Sequence, residues 1–286
     1  MGAIRERMIA EMELRGLAAA TKKSYLACCR VVVAHFRKSP EQLGTEDLKA
    51  FLLHLVRERK AGPATVCSYI AALCFLFRHV LALPDVVDRL PRPRVPKKLP
   101  DVLDPEEVQQ LLEAVRSLKL RTILITAYGA GLRISEALRL GVRDIDSKRM
   151  VIHIRGAKNG KDRLVLLSPE LLLALRRYWT QCRPQGPHLF PGRNGRPVHI
   201  DVIRRALWAE VREVGLKKRV TLHSFRHGFA THLLEDGTDV RVIQALLGHS
   251  NLQTTAHYTQ VSTKNFQKVT SPLDRLTQPK RAAAAR

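Results

Sequence analysis

Pro84, Pro91, Pro93, Pro96 and Pro100 all fall within LPDVVDRLPRPRVPKKLP, residues 83–100. Proline fixes φ and lacks an amide proton, so this stretch cannot be the interior of a helix and reads as an extended connection. It divides the chain into a small N-terminal domain (1–85), a linker (86–100) and a larger C-terminal domain (101–286). Arg92, Arg94, Lys97 and Lys98 make the linker a cationic strap. The N-terminal part predicts helices. Thr21 is a candidate cap before KKSYLACCRVVVAHF, Thr45 with Glu46 and Asp47 opens a second, and Pro63 suits the first position of a third. Tyr25, Tyr69 and the cysteines there read as core.

The charge needs a partner. The 286 residues carry 49 Lys+Arg against 26 Asp+Glu, a formal charge of +23. Residues 1–85 contribute 13 − 8 = +5 and residues 86–286 contribute 36 − 18 = +18. Nucleic-acid phosphate is the usual neutraliser. An anionic membrane surface competes, but calls for one strongly basic amphipathic helix, whereas here the excess is spread out. Aromatics at 5% argue against single-strand stacking platforms and leave duplex backbone as the expected partner. No apolar run approaches the ~20 residues that span a bilayer. Five scattered cysteines with no Cys-x-x-Cys pair, and an opening without a signal-peptide core, point to a reducing compartment: a cytoplasmic, nucleoid-associated protein.

The C-terminal part predicts mixed structure. Asp104-Pro105-Glu106-Glu107 starts a helix that runs towards the Gly129-Ala130-Gly131 break. Residues 150–155 and 163–167 read as strands joined by Lys158-Asn159-Gly160-Lys161, an Asn-Gly hairpin turn. Ser168-Pro169-Glu170 starts another helix. Further helices are expected at 200–214, 223–235 and 239–247, and after Pro272 a tail that is loose at least at its last residues.

Four stretches carry chemistry-bearing residues: GAGLRISEAL with Arg133, the hairpin lysines, HSFRH with His223 and Arg226 three apart, and LLGHS with His249 followed by Tyr258. Each has a bland reading alone: a solvated helix start, exposed tip charges, a surface pair, a helix C-cap, a packed tyrosine. His227 and His232 read as packing or supporting groups, because no carboxylate sits at zincin spacing with them. Taken together, two arginines, two histidines, a lysine and a tyrosine suffice to attack a phosphodiester without a metal. Arg133 and Arg226 can donate paired N–H bonds to the non-bridging oxygens. His223 and His249 add donors, and His223 can help take the phenolic proton. Tyr258 is a plausible nucleophile once a base moves its proton. The departing alkoxide needs an acid, which a hairpin lysine can supply.

This ordered set resembles the tyrosine recombinases, also called phage-type integrases, and is most similar to their Xer-like and mobile-element branches. GLRISEAL, the hairpin lysine, HSFRHGFATHLL, LLGHSNLQTT and AHYTQV match in type, order and spacing over about residues 5–270. The resemblance implies a mostly α fold with a small β-sheet: an N-terminal SAM-like helical core-binding domain, then a mixed α+β catalytic domain of the tyrosine recombinase type. It implies that Arg133, Lys158, His223, Arg226 and His249 activate the phosphate and that Tyr258 is the nucleophile, with Glu136 and His227 supporting. Lys161 stays an alternative to Lys158, because the hairpin reads Gly-Ala-Lys-Asn-Gly-Lys-Asp-Arg rather than the family's usual Gly-Lys-Gly-x-Lys-(Asp/Glu)-Arg. Arg92, Arg94, Lys97, Lys98, Lys161 and Arg163 are expected along the DNA. The implied activity is site-specific recombination through a 3′-phosphotyrosyl intermediate and a Holliday junction, by a homotetramer on two duplex sites. No metal, nucleotide or other cofactor is implied. A type IB topoisomerase and a non-catalytic DNA-binding homologue are the alternatives.

Overall fold

The computed structural model describes residues 2–96, 101–156, 162–248 and 271–276. The chain forms two compact units, Met1–Lys98 and Leu99–Arg286.

The first unit contains α1 (Gly2–Leu14), α2 (Ala19–Phe36), α3 (Thr45–Arg57), α4 (Pro63–Phe75) and α5 (Asp85–Asp88). Helical spacing places Leu48, Phe51, Leu52 and Leu55 of α3 inside, against Met8, Met12, Val32, Ile70 and Phe77. Helix α2 begins at Ala19, with Ala18 in the extended cap position, so Thr21 lies inside the helix rather than capping it. Thr45 is the first helical residue of α3, and its hydroxyl donates to the Val86 carbonyl at 3.0 Å. Pro63 opens α4 as expected. Past Phe75 the helix widens into a π-helical turn, Leu76–Val80, held by Arg7 donating to the Val80 carbonyl. By length and composition Pro63–Val80 would pass for a membrane span, contrary to the expectation that no such run exists. Half of it is buried inside this unit, where it forms the central helix.

The stretch expected to be extended linker begins as part of this unit. Asp85–Asp88 is helical, Val87 and Leu90 are buried, and the Cys67 thiol lies 3.6 Å from the Pro93 carbonyl. Apolar side chains spaced between the prolines hold it down. Arg92 and Arg94 are exposed, while Lys97 and Lys98 lie outside the described residues.

The second unit contains α6 (Pro105–Ala114), α7 (Leu118–Gly129), α8 (Ile134–Ala137), strands β1 (Ile145–Asp146), β2 (Val151–Ile154) and β3 (Arg163–Leu166), then α9 (Pro169–Cys182), α10 (Ile200–Val214), α11 (Leu222–Glu235), α12 (Val240–Leu247) and α13 (Pro272–Leu276). The strands form an antiparallel sheet in the order β1-β2-β3, with Ile152 opposite Val165. Helix α7 is the centre of this unit. Ile123, Leu124, Ala127 and Tyr128 are fully buried, and Thr122 and Thr126 turn their hydroxyls onto the Leu118 and Thr122 carbonyls, which satisfies them in an apolar setting.

The expected single helix from Asp104 to the glycines is two helices. Arg121 reaches back to the Val115 and Glu113 carbonyls at 2.9 Å each, satisfying the C-terminus of α6, and Ser117 caps α7 by accepting from Leu120 N. At the start of α6 the Asp104 N–H donates to Glu107 at 2.9 Å, as the sequence implies. Lys218 adds ion pairs to both carboxylates, at 2.8 and 2.7 Å. Residues 271–276, where the expected tail begins, pack onto this unit, and its last residues lie outside the described residues. Ser271 donates to the Gly129 carbonyl at 3.0 Å, and Leu273 packs into the slot that Gly129 leaves open.

His232 of α11 fixes the segment leading into α6. Its Nε2 faces the Leu103 carbonyl at 2.9 Å, which can only accept, so Nε2 carries the proton and Nδ1 accepts from Tyr128 OH at 2.8 Å. This bears out its reading as a packing group. Burial lowers its pKa, against the pull of the Leu103 carbonyl. The unfolded chain therefore takes up a proton here, near pH 6.5, before the folded one does. His232 stabilises the fold fully above that pH, and its share is lost as pH falls towards the lower folded value. Thermal unfolding should show a larger loss between pH 7.5 and 5.5 for the wild type than for His232→Gln, whose amide can make the same two bonds at any pH. Equal losses would show that this histidine does not titrate in that window.

Candidate active site

The loop after α7 turns on Gly131, at φ +61°, and its next turn delivers Arg133 to the cap position of α8. The Arg133 backbone N–H donates to Glu136 Oε2 and its guanidinium to Glu136 Oε1, both at 2.9 Å. Its side chain keeps 25% exposure, so the group is oriented from below and open above.

Helix α11 supplies the second arginine. A stripe of Phe225, Phe229 and Leu233 is fully buried against the core, and Arg226 beside it is 5% exposed. Arg226 donates to the Gly131 carbonyl at 2.9 Å and to the Leu247 carbonyl, and lies 3.7 Å from Glu136 Oε2. Burial, and then the neighbouring Arg133 charge, bring its pKa down to about 9, so it remains a cation at pH 7. His223 and His227, one turn apart on α11, are exposed, with ring centroids 6.4 Å apart. Although one side of the ring is open, desolvation where His227 lies against the protein, then the charges of His223 and Arg226, lower its pKa.

Glu136 is the hub. Burial alone would raise its pKa. The Arg163 and Arg133 guanidiniums outweigh that and hold it down to about 2. Two cationic forks thus stand on one carboxylate, and of the two it is Arg133, at 25% exposure, that has spare N–H groups open to an anion. In a low-dielectric setting such oriented donors are worth more than in water. Among the described residues, no cluster of three His, Cys, Asp or Glu side chains could hold a metal ion.

Of the residues singled out from sequence, Arg133, Glu136 and Arg226 meet, and His223 and His227 lie on the helix that carries Arg226. Lys158, Lys161, His249 and Tyr258 lie outside the described residues. Gly248, just before His249, closes α12 in the left-handed region at φ +61°, as its reading as a helix cap implies. Arg163 is a correction. Expected along the DNA, its side chain is 10% exposed and turned inward onto Glu136 at 2.7 and 3.0 Å. An arginine at the first position of a half-buried strand shows no sequence signal that separates these two orientations. Sequence reasoning also missed the carbonyls of Gly131 and Leu247, which residue types cannot announce.

Comparison with known proteins agrees with this geometry. The phage integrase family profile matches residues 101–265, and the profile for the phage integrase N-terminal SAM-like domain matches residues 4–84. The chain is 45% identical over 282 residues to a putative integrase/recombinase, y4qK, of Sinorhizobium fredii, covering 98% of this chain and 91% of that protein. It is 37% identical to the tyrosine recombinase XerA of Pyrococcus horikoshii, over 76% of this chain and 77% of that one. Its fold is similar to that of lambda integrase, solved as a tetramer bound to a Holliday junction, with a TM-score of 0.70 at 18% identity over 89% of this chain and 80% of that one. The chain belongs to the phage integrase family of tyrosine recombinases, and carries both the family's catalytic domain and its N-terminal SAM-like domain.

Proposed function

We propose that this enzyme cuts and rejoins duplex DNA at specific sites, with Arg133 and Arg226 as the clamp on the scissile phosphate. The observation that carries this reading is the pair of guanidiniums held on buried Glu136 beside the Gly131 and Leu247 carbonyls. In this reading the Tyr258 phenol oxygen attacks phosphorus and loses its proton to His223 or water. The bond to the 5′ oxygen breaks, Lys158 protonates that oxygen, and a 3′-phosphotyrosyl ester with a free 5′-hydroxyl results. His249 adds a donor to the phosphate. The ester retains the energy of the broken bond, so a 5′-hydroxyl from a partner strand reverses the step without ATP. Two rounds exchange strands through a Holliday junction in a tetramer on two sites, an arrangement that lambda integrase adopts. Exposed Arg92 and Arg94, with Lys97 and Lys98, run along the DNA backbone, and the protein resides on the nucleoid.

The test is covalent trapping. The protein is incubated with nicked, site-bearing duplex, and an SDS-resistant adduct should form whose linked peptide maps to Tyr258. Two duplexes should give a four-way junction. Plasmid relaxation without exchange would instead support topoisomerase action, and binding without an adduct a non-catalytic homologue. Lys158→Ala should cleave normally only on a 5′-phosphorothiolate substrate, whose leaving group needs no acid. If that rescue belongs to Lys161→Ala instead, the acid is Lys161.

A further inference from the structure

Arg163 ties together three elements of the catalytic unit: its own strand β3, α8 and the end of α12. It opens β3, two residues after Lys161 and five after Lys158. Its guanidinium forms a two-point bridge to Glu136, at 3.0 Å to Oε1 and 2.7 Å to Oε2, and Glu136 in turn holds Arg133. Its Nε donates to the Leu246 carbonyl at 3.0 Å, in the last turn of α12. The stem crosses Gly248 so closely that a Cβ there would lie 2.8 Å from Arg163 Cδ and 3.1 Å from Nε. Gly248 is thus needed twice, for its left-handed φ and for the passage of this side chain, and it immediately precedes His249.

We infer that Arg163 is a positioning residue that locks the start of β3, the Arg133 helix and the end of α12 into one register, the three segments that adjoin the hairpin lysine, Arg133 and His249 in the sequence. The inference rests on the recombinase reading above. The planar fork meets both Glu136 oxygens while Nε, on another edge, meets the Leu246 carbonyl; a lysine carries its three donors on one nitrogen and does not reproduce that spread. Because Glu136 is also the anchor of Arg133, any shift of Arg163 moves β3, which follows the hairpin lysine in the sequence, relative to Arg133. Displacements of about 1 Å in such a site cost about a hundredfold in rate.

The experiment compares full-length wild type with Arg163→Met, which keeps the stem, with Arg163→Lys, and with Gly248→Ala, which intrudes on the stem. Duplex affinity and its salt dependence should stay at the wild-type level for all three. Adduct formation should slow about a hundredfold in Arg163→Met, with no rescue by Arg163→Lys. A 5′-phosphorothiolate substrate should recover at least about tenfold of that loss, because part of it is misplacement of the acid. Amide hydrogen exchange should quicken in Arg163→Met both in the hairpin peptide and in the peptide spanning 244–250. That last readout needs no cleavage. If wild type forms no adduct, the recombinase reading falls, while exchange still decides whether Arg163 couples the two segments. A uniform drop in affinity with a salt slope smaller by about one would identify a phosphate contact and overturn the inference. So would exchange that quickens at β3 alone.

Discussion

Arg226→Lys should slow formation of the covalent DNA adduct by about a thousandfold. The side chain is 5% exposed and serves two backbone carbonyls, Gly131 and Leu247, while facing Glu136 at 3.7 Å. A lysine keeps the charge but presents one ammonium, so it cannot satisfy both carbonyls and still offer a paired contact to phosphate oxygens. One buried carbonyl then goes without a partner, which costs about 1–3 kcal/mol of stability. Single-turnover cleavage and thermal unfolding measure the two effects separately. A variant that loses stability by that amount yet cleaves within tenfold of wild type would show that Arg226 is a structural strut and not a ligand of the phosphate. The pKa of Arg226, lowered to about 9 by burial and the Arg133 charge, adds a second reading of the same experiment. An anion between the two guanidiniums offsets their mutual repulsion, so DNA should raise the melting temperature of the wild type more than that of Arg226→Lys.

Local signals in the sequence carried much of this architecture. Asp104-Pro105 opens α6, Ser168 caps α9 by accepting from Leu171 N at 3.2 Å, α10 spans Ile200–Val214, and Gly248 ends α12, all where local chemistry places them. Each depends on a few adjacent residues, so no tertiary contact is needed to read it. What escaped depends on partners far along the chain or on backbone atoms. The break after Ala114 is settled by Arg121 reaching back to two carbonyls, and the docking of residues 271–276 by a slot at Gly129. The helix at Asp85–Asp88 sits among prolines that suggest extension, and is held by Val87 packed into the N-terminal core. Within the site, Arg133, Glu136 and Arg226 were legible because their types and order match a family pattern. The inward turn of Arg163 was not, since the carboxylate it meets lies 27 positions away.

Gly131→Ala should be the most destabilising small substitution in the catalytic unit. The residue sits at φ +61°, where any Cβ costs about 1–2 kcal/mol. That Cβ would also lie 2.4 Å from Phe229 Cδ1 and 2.5 Å from Cε1, on a ring that is fully buried and cannot swing away. Relieving such an overlap by shifting a packed core costs about 1–3 kcal/mol more. Any shift of the loop also moves the Gly131 carbonyl off Arg226, worth about another 1 kcal/mol. The sum, about 3–6 kcal/mol, is a large part of what a domain of this size has in hand. Urea unfolding of wild type, Gly131→Ala, Phe229→Ala and the double variant tests the cause as well as the size. Phe229→Ala removes the atoms the new methyl would strike, so the double variant should lose markedly less than the two single losses added together. Strict additivity would mean that the contact with Phe229 is not what excludes a side chain at position 131. The backbone conformation alone would then account for the glycine, and the loop that carries Arg133 would owe its shape to its own turn and not to α11.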